Sequence, residues 1–158
     1  MVIITHSKEE TQRLAKQMSQ YLKAGMVIRL DGQLGSGKTT FVQGVGKALN
    51  ISRAIKSPTY TIVKSYSTQL GNLVHIDAYR LEDADGDTID LPYLMNNQAI
   101  VFIEWAEFIE EELPESYLQL TFTYRNDTER QIDLQVINPI NDHYTEIMTA
   151  IENWSEDQ

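Results

Sequence analysis

An α/β fold, with a largely parallel core sheet, flanking helices and an antiparallel hairpin portion, is predicted by three observations. The first is a glycine-rich loop, Gly32-Gln33-Leu34-Gly35-Ser36-Gly37-Lys38-Thr39, set between a short apolar run and a segment of helical spacing. The second is a pair of continuous apolar runs, residues 26–30 and 99–104, of the kind that strands buried on both faces of a parallel sheet require. The third is alternation of apolar and polar residues over 117–125 and 130–138, on either side of Asn126-Asp127-Thr128-Glu129, as an antiparallel hairpin demands.

Along the chain, Ser7-Lys8-Glu9-Glu10 has the S-x-x-E form of a capping box, and Leu14, Met18, Tyr21 and Leu22 mark a helical face that ends before Gly25. Met26-Val27-Ile28-Arg29-Leu30 is the strand that feeds the loop. Phe41, Val45, Ala48 and Leu49 then recur at three- and four-residue intervals and give the apolar face of the following helix. Residues 60–66 and 73–76 read as a strand pair turned around Gln69-Leu70-Gly71-Asn72. The run 99–104 closes on Glu104, which places a carboxylate at the C-terminal edge of a core strand. After the 117–138 hairpin, Pro139 is expected to open a last helix through about Trp154, with a frayed, disordered tail at 155–158.

The 158 residues fit a single domain, 1–158, and 42% hydrophobic content supports a real core. The longest apolar stretch, 99–103, is far too short to span a bilayer, and the first residues lack a basic start and a cleavage site. A cytoplasmic protein with no membrane association is expected. With no cysteine there are no disulfides, thiolate metal sites or cysteine nucleophiles. A net charge of −10 repels phosphate backbones, and no window clusters Lys and Arg with aromatics, so any RNA would be held by a partner.

The loop matches G-x-x-x-x-G-K-[ST], and its setting between strand and helix gives a P-loop NTPase-like sheet. Its glycines let backbone N–H groups curl around an anion at a helix N-terminus. Lys38 would reach the β- and γ-phosphates of a nucleotide, and the Thr39 hydroxyl would supply an oxygen to Mg2+. Three further segments carry chemistry. Glu104 either approaches the metal or caps the helix that follows it. In His75-Ile76-Asp77-Ala78-Tyr79-Arg80, alternation puts His75, Asp77 and Tyr79 on one face, with Asp77 either a metal carboxylate or a surface ion-pair partner. In Ser57-Pro58-Thr59, proline stiffens a loop with two hydroxyls, and Thr59 either senses a γ-phosphate or sits in an ordinary turn.

Taken in order, the phosphate loop, Lys56-Ser57-Pro58-Thr59-Tyr60-Thr61, His75-Ile76-Asp77-Ala78-Tyr79-Arg80-Leu81 and Ile103-Glu104-Trp105-Ala106-Glu107 resemble the TsaE (YjeE) family of bacterial P-loop ATPases. The similarity runs from Ser7 through Arg130. It implies an ATP-hydrolysing accessory subunit, slow alone and stimulated by partners, that acts with TsaB and TsaD in forming N6-threonylcarbamoyladenosine on tRNA. The tRNA would be met only through those proteins. By the same resemblance ATP and Mg2+ are the cofactors, with Gly35, Ser36, Gly37, Lys38, Thr39, Thr40 and Trp105 at the nucleotide. Thr39, Asp77 and Glu104 would serve the metal, and Lys38, Thr59, Asp77 and Glu104 would serve hydrolysis. Arg80 matches a position near the active site, and Lys8 and Arg130 match regions toward the adenine end. Gln33 stands where the family usually has Asp, Ala78 replaces a usual Leu, and 83–91 is more acidic than the family pattern.

Asp83-Ala84-Asp85-Gly86 satisfies a GTPase-like D-x-x-G, but no N-K-x-D follows to read guanine. The alternating Asp83, Asp85 and Asp87 lack the Gly position and closing Glu of a calcium loop and read as a solvated acidic loop. Two rival functions stand beside the ATPase: a small-molecule kinase on the same core, and a nucleotide-dependent scaffold with negligible turnover. A kinase usually needs an Arg-rich lid, whereas the Arg residues here are scattered, with only Arg125 and Arg130 close together on a hairpin.

Overall fold

A computed structural model describes residues 1–52, 55, 63–79, 91–96 (side chains only for 91–93) and 98–157. The Ser57-Pro58-Thr59 loop, the first part of the 60–66 strand, Arg80 and the acidic 83–90 segment lie outside the described residues.

Seven strands form one sheet: β1 (Val2–Thr5), β2 (Val27–Asp31), β3 (Val63–Thr68), β4 (Gly71–Asp77), β5 (Ile100–Glu104), β6 (Tyr117–Tyr124) and β7 (Arg130–Ile137), in the order β1-β7-β6-β2-β5-β4-β3. β6, β2, β5 and β4 are mutually parallel, and β3 on one side and β7 on the other pair antiparallel. The run 26–30 thus becomes a central strand one residue later than expected, and its neighbour β5 is buried at all five positions. The 117–138 hairpin does more than the alternation indicated, because β6 adds directly to β2 and extends the parallel sheet. β1 was not anticipated. Its four residues pair with β7, a contact between chain segments far apart that no local pattern announces.

The helices are α1 (Lys8–Ser19), α2 (Lys38–Ala48), the short α3 (Leu91–Asn96) and α4 (Thr145–Glu156), with a 3-10 helix over Ala106–Glu112. Ser7 caps α1 by accepting from the Glu10 N–H at 3.0 Å. The return bond differs from the expected box, since the Glu10 carboxylate takes the N–H of His6 at 2.9 Å. α2 packs on α1 so closely at Gly44 that a Cβ there would stand 2.8 Å from the Cβ of Ala15. Pro139 does not open the last helix. Asn138 turns the chain with φ 51° and Asn141 takes the N–H of His143 in an Asx turn, so helical backbone begins at Thr145 and continues past Trp154 to Glu156.

Alternation along the strands splits the core in two. Ile28, Leu30, Phe102, Leu118 and Leu120 face α1, α2 and α4, joined by Phe41, Val45, Leu14 and Ile147. Val27, Val74, Ile76, Val101 and Ile103 face the other side with Leu91, Ala106 and Ile109. Ala78 is fully buried in that second cluster, so the family's usual leucine is replaced inside the core and not on a surface. Each face removes branched aliphatic side chains from water, at about 1.5–3 kcal/mol per fully buried residue. On the α2 face the same alternation that buries Ile100 and Phe102 brings Glu104 to the strand end. Leu73 and His75 likewise lead to Asp77 on β4.

Candidate functional site

The carboxyl ends of the parallel strands open into a cleft of about 740 Å3. One wall is the phosphate loop with the first residues of α2, and the other carries Asp77, Tyr79, Glu104 and Trp105. Ser7, Lys8 and Arg130 also line it, Arg130 against the phosphate loop. This is the edge of an open α/β sheet at which ligands are bound.

The loop is shaped by backbone that side chains tolerate poorly. Gly32, Gly35 and Gly37 have φ of 148°, 80° and 111°. A Cβ on Gly32 would meet Ser36 Oγ at 2.5 Å and the Phe122 carbonyl at 2.7 Å, whereas one on Gly35 would meet nothing. Gly37 starts α2 with no side-chain cap and no acidic residue in the first turn. Free N–H groups and the positive end of the helix dipole therefore face the cleft, and an anion there is stabilised by both.

Lys38 is only 6% exposed, so its charge does not face open solvent. Its ammonium donates to the Gly32 carbonyl at 2.6 Å, lies 3.8 Å from Glu104 Oε1 and sits 4.5 Å above the centre of the Trp105 ring. A short charge-assisted hydrogen bond, an ion-pair contact and a cation–π contact hold it at the cleft wall, where a phosphate would compete with the Gly32 carbonyl for it. Ser36 is buried beneath the loop instead of lining the cleft, and its N–H is taken by the Gln33 carbonyl. Gln33, at the family's Asp position, is exposed.

Asp77 and Glu104 are register partners on β4 and β5, 9% and 4% exposed. Asp77 Oδ1 accepts the Tyr79 N–H at 3.1 Å, and at that burial Asp77 is not a surface residue. Glu104 Oε2 lies 2.5 Å from His75 Nε2. It does not cap the next helix: Trp105, with φ 59°, occupies that cap position and makes no side-chain cap bond. The left-handed turn at Trp105 swings its ring back toward the cleft, where Tyr79 packs on it at 5.3 Å and on Phe108 at 5.5 Å.

Behind this wall, Arg29 points to the opposite face of β2. It pairs with Asp31 at 2.9 Å and Glu110 at 3.2 Å, tying the strand that feeds the loop to the 3-10 helix that follows Trp105. Burial opposes the Arg29 charge, but its hydrogen bonds to Asp31, the Asp31 charge, and its hydrogen bonds to Glu110 and Tyr117 outweigh it and raise the guanidinium above its ordinary value. Arg130 donates to the carbonyls of Asn126, Glu129 and Gly35 and stacks 4.8 Å from the Tyr124 ring, which ties the β6–β7 hairpin to the phosphate loop.

Of the residues singled out from sequence, Lys8, Gly35, Gly37, Lys38, Thr39, Thr40, Asp77, Glu104, Trp105 and Arg130 meet at this one cleft. Thr59 and Arg80 lie outside the described residues. Sequence reading put Tyr79 on the face of Asp77 but missed Thr11, Asp127 and Thr128 as lining residues, since nothing in the local pattern brings the hairpin turn beside the first turn of α1. It placed His75 on the right face without its contact to Glu104.

A nucleotide triphosphate with Mg2+ fits this donor set. The loop offers backbone N–H groups and a cradle beside Gly35, Lys38 supplies a buried cation, Thr39 adds a hydroxyl from the same wall, and two carboxylates stand on the other. Among the described residues no group of three or more His, Asp or Glu could hold a metal alone. Mg2+ takes one or two protein oxygens and completes its shell with phosphate and water. No helix among the described residues is long and apolar enough to cross a membrane.

The chain resembles known proteins over most of its length. It is 40% identical over 133 residues to tRNA threonylcarbamoyladenosine biosynthesis protein TsaE of Bacillus subtilis (strain 168), covering 84% of each chain. It is 37% identical over 140 residues to the protein of that name from Nostoc sp. (strain PCC 7120), covering 86% of each. The crystal structure of YdiB from Bacillus subtilis superposes with a TM-score of 0.80 at 31% identity, over 100% of this chain and 96% of that one. A family model described as Threonylcarbamoyl adenosine biosynthesis protein TsaE matches residues 5–132, from the end of β1 to the start of β7 and so across the whole cleft, and the chain belongs to the TsaE family.

Proposed function

We propose that residues 1–158 form a single cytoplasmic, Mg2+-dependent ATPase domain, an accessory subunit that works with TsaB and TsaD in forming N6-threonylcarbamoyladenosine on tRNA. The observation that carries this reading is the convergence of Lys38, Glu104 and Asp77 on the mouth of the phosphate loop, within a chain whose relatives are named for that biosynthesis.

In this mechanism Lys38 exchanges the Gly32 carbonyl for phosphate oxygens, and the open N–H groups at the start of α2 hold the β- and γ-phosphates. Thr39 offers its hydroxyl, and Asp77 and Glu104 their carboxylates, on the side where Mg2+ would sit. When bound, Mg2+ neutralises charge on the phosphate oxygens. A water attacks the γ-phosphorus in line, the bond to the bridging oxygen of ADP breaks, and inorganic phosphate leaves. The protein's part is positioning and charge stabilisation, which suffice for phosphoryl transfer. Thr59 belongs to the loop that senses the γ-phosphate, and Trp105 lies near the nucleotide. Arg80 belongs near the active site, and Lys8 and Arg130 lie toward the adenine end. A chain of charge −10 leaves tRNA to its partners.

The test is phosphate release from ATP by the chain alone and with TsaB and TsaD, with and without Mg2+, alongside pull-downs and tRNA binding at physiological salt. Slow, Mg2+-dependent turnover that rises with the partners, and nucleotide-dependent capture impaired by Thr59→Ala, are expected. Tight tRNA binding by the isolated chain, or indifference to both partners, would overturn the reading. A requirement for a small-molecule acceptor would put the kinase in its place.

A further inference from the structure

His75 is fully buried, yet the proposed mechanism gives it nothing to do. Its neighbour in register on β5 is Phe102, so its contact with Glu104 is diagonal, one same-face position further along the strand. Its second ring nitrogen, Nδ1, is buried and has no hydrogen-bond partner among the described residues.

We infer that His75 is the positioning residue for Glu104, donating its Nε2–H to Oε2 and thereby holding Oε1 toward Lys38 and the cleft. This rests on the ATPase reading above. A carboxylate oxygen accepts, so the bond needs the imidazole proton on Nε2. That tautomer leaves only a lone pair unpartnered at Nδ1, whereas the other would strand a buried N–H, the costlier arrangement. Oε1 stands 3.8 Å from the Lys38 ammonium, close enough to attract it but outside direct hydrogen bonding. Freed from His75, the carboxylate could rotate about its last torsion and close a direct ion pair with Lys38. Both groups would then be engaged with each other when the phosphates arrive. The imidazole keeps them apart and available.

The test compares His75→Gln, whose amide nitrogen reaches the place of Nε2 and still donates, with His75→Leu, similar in size and without a donor. In the nucleotide-free wild-type chain, nitrogen-15 NMR of the imidazole should place the proton on Nε2. His75→Leu should lower kcat roughly tenfold, as loss of a supporting hydrogen bond usually does. The ATP dissociation constant read from Trp105 fluorescence should rise several-fold as well, since the phosphates must then part Lys38 from Glu104 before they can engage it. His75→Gln should recover most of the rate, and on a Glu104→Ala background His75→Leu should change nothing further. A proton on Nδ1, equal losses in the Gln and Leu variants, or a His75→Leu effect that persists without Glu104 would each overturn the inference. A wild-type chain that hydrolyses no ATP, alone or with its partners, would instead bring down the ATPase reading. The proton position and the response of ATP affinity would then still decide whether His75 holds Glu104.

Discussion

Asp77 and Glu104 stand directly opposite each other at the carboxyl ends of two adjacent parallel strands, both turned to the face that carries the phosphate loop. Buried carboxylates side by side repel, so the pairing stands only with compensation nearby. Lys38, the His75 imidazole and the Tyr79 N–H surround the pair.

Glu104→Ala should therefore separate binding from turnover. Removing the carboxylate takes away an interaction concentrated in the transition state, so the rate should fall by about two orders of magnitude or more while ATP still binds. Single-turnover kinetics with ATP titrations decide the matter, and unchanged turnover would leave Glu104 without a role in the reaction.

Lys38→Met keeps the apolar stem against Trp105 and removes the ammonium. ATP affinity should drop by roughly tenfold or more, the worth of a charge-assisted bond to phosphate. Because the ammonium lies over the indole, Trp105 fluorescence in the wild type should change as ATP draws Lys38 off the ring. A silent Trp105 at saturating ATP would place the nucleotide elsewhere.

Gly32→Ala and Gly35→Ala should differ sharply although both glycines have positive φ. At Gly35 the new methyl meets nothing, leaving backbone strain of about 1 kcal/mol. At Gly32 it meets the Phe122 carbonyl and Ser36 Oγ, so roughly 3 kcal/mol or more is expected from overpacking together with strain. Urea unfolding of the two variants gives the comparison, and equal losses would contradict the close approach of the loop to β6.

Tyr144 predicts a pH dependence. Its hydroxyl accepts the Val27 N–H at 2.9 Å and donates to the Val27 carbonyl at 3.2 Å, closing the start of β2 one residue before its pairing with β6 begins. Burial raises the phenol above its ordinary value of 10.0, with the Val27 bond opposing only in part. A raised folded value contributes stability that is complete below the unfolded value and is lost as pH rises through the folded one. Stability should thus fall above about pH 10, and Tyr144→Phe should lack Tyr144's share of that fall while losing about 1–2 kcal/mol at neutral pH. Chemical unfolding at pH 8 and pH 11 measures both.

The phosphate loop was legible because its chemistry is local: glycine conformations, a lysine and a hydroxyl within one turn of helix need no distant partner to be recognised. The runs at β2 and β5 were legible too, since strands covered on both faces must be apolar throughout. Alternation also put His75 and Asp77 on one face, and the end of the second run placed Glu104 at a strand terminus. Other features come only from tertiary contact. The pairing of β1 with β7, the addition of β6 to β2 and the delayed start of α4 depend on partners or turns that hydrophobic spacing does not encode. So do the burial of Lys38, the capture of Glu104 by His75 and the reach of Arg130 to the carbonyl of Gly35. Sequence determined which groups exist at each strand end and helix start, because side-chain direction follows the local period of the backbone. Sheet order decided which of those groups stand within a few ångströms of one another, because that distance is set by the register between strands and not by separation along the chain.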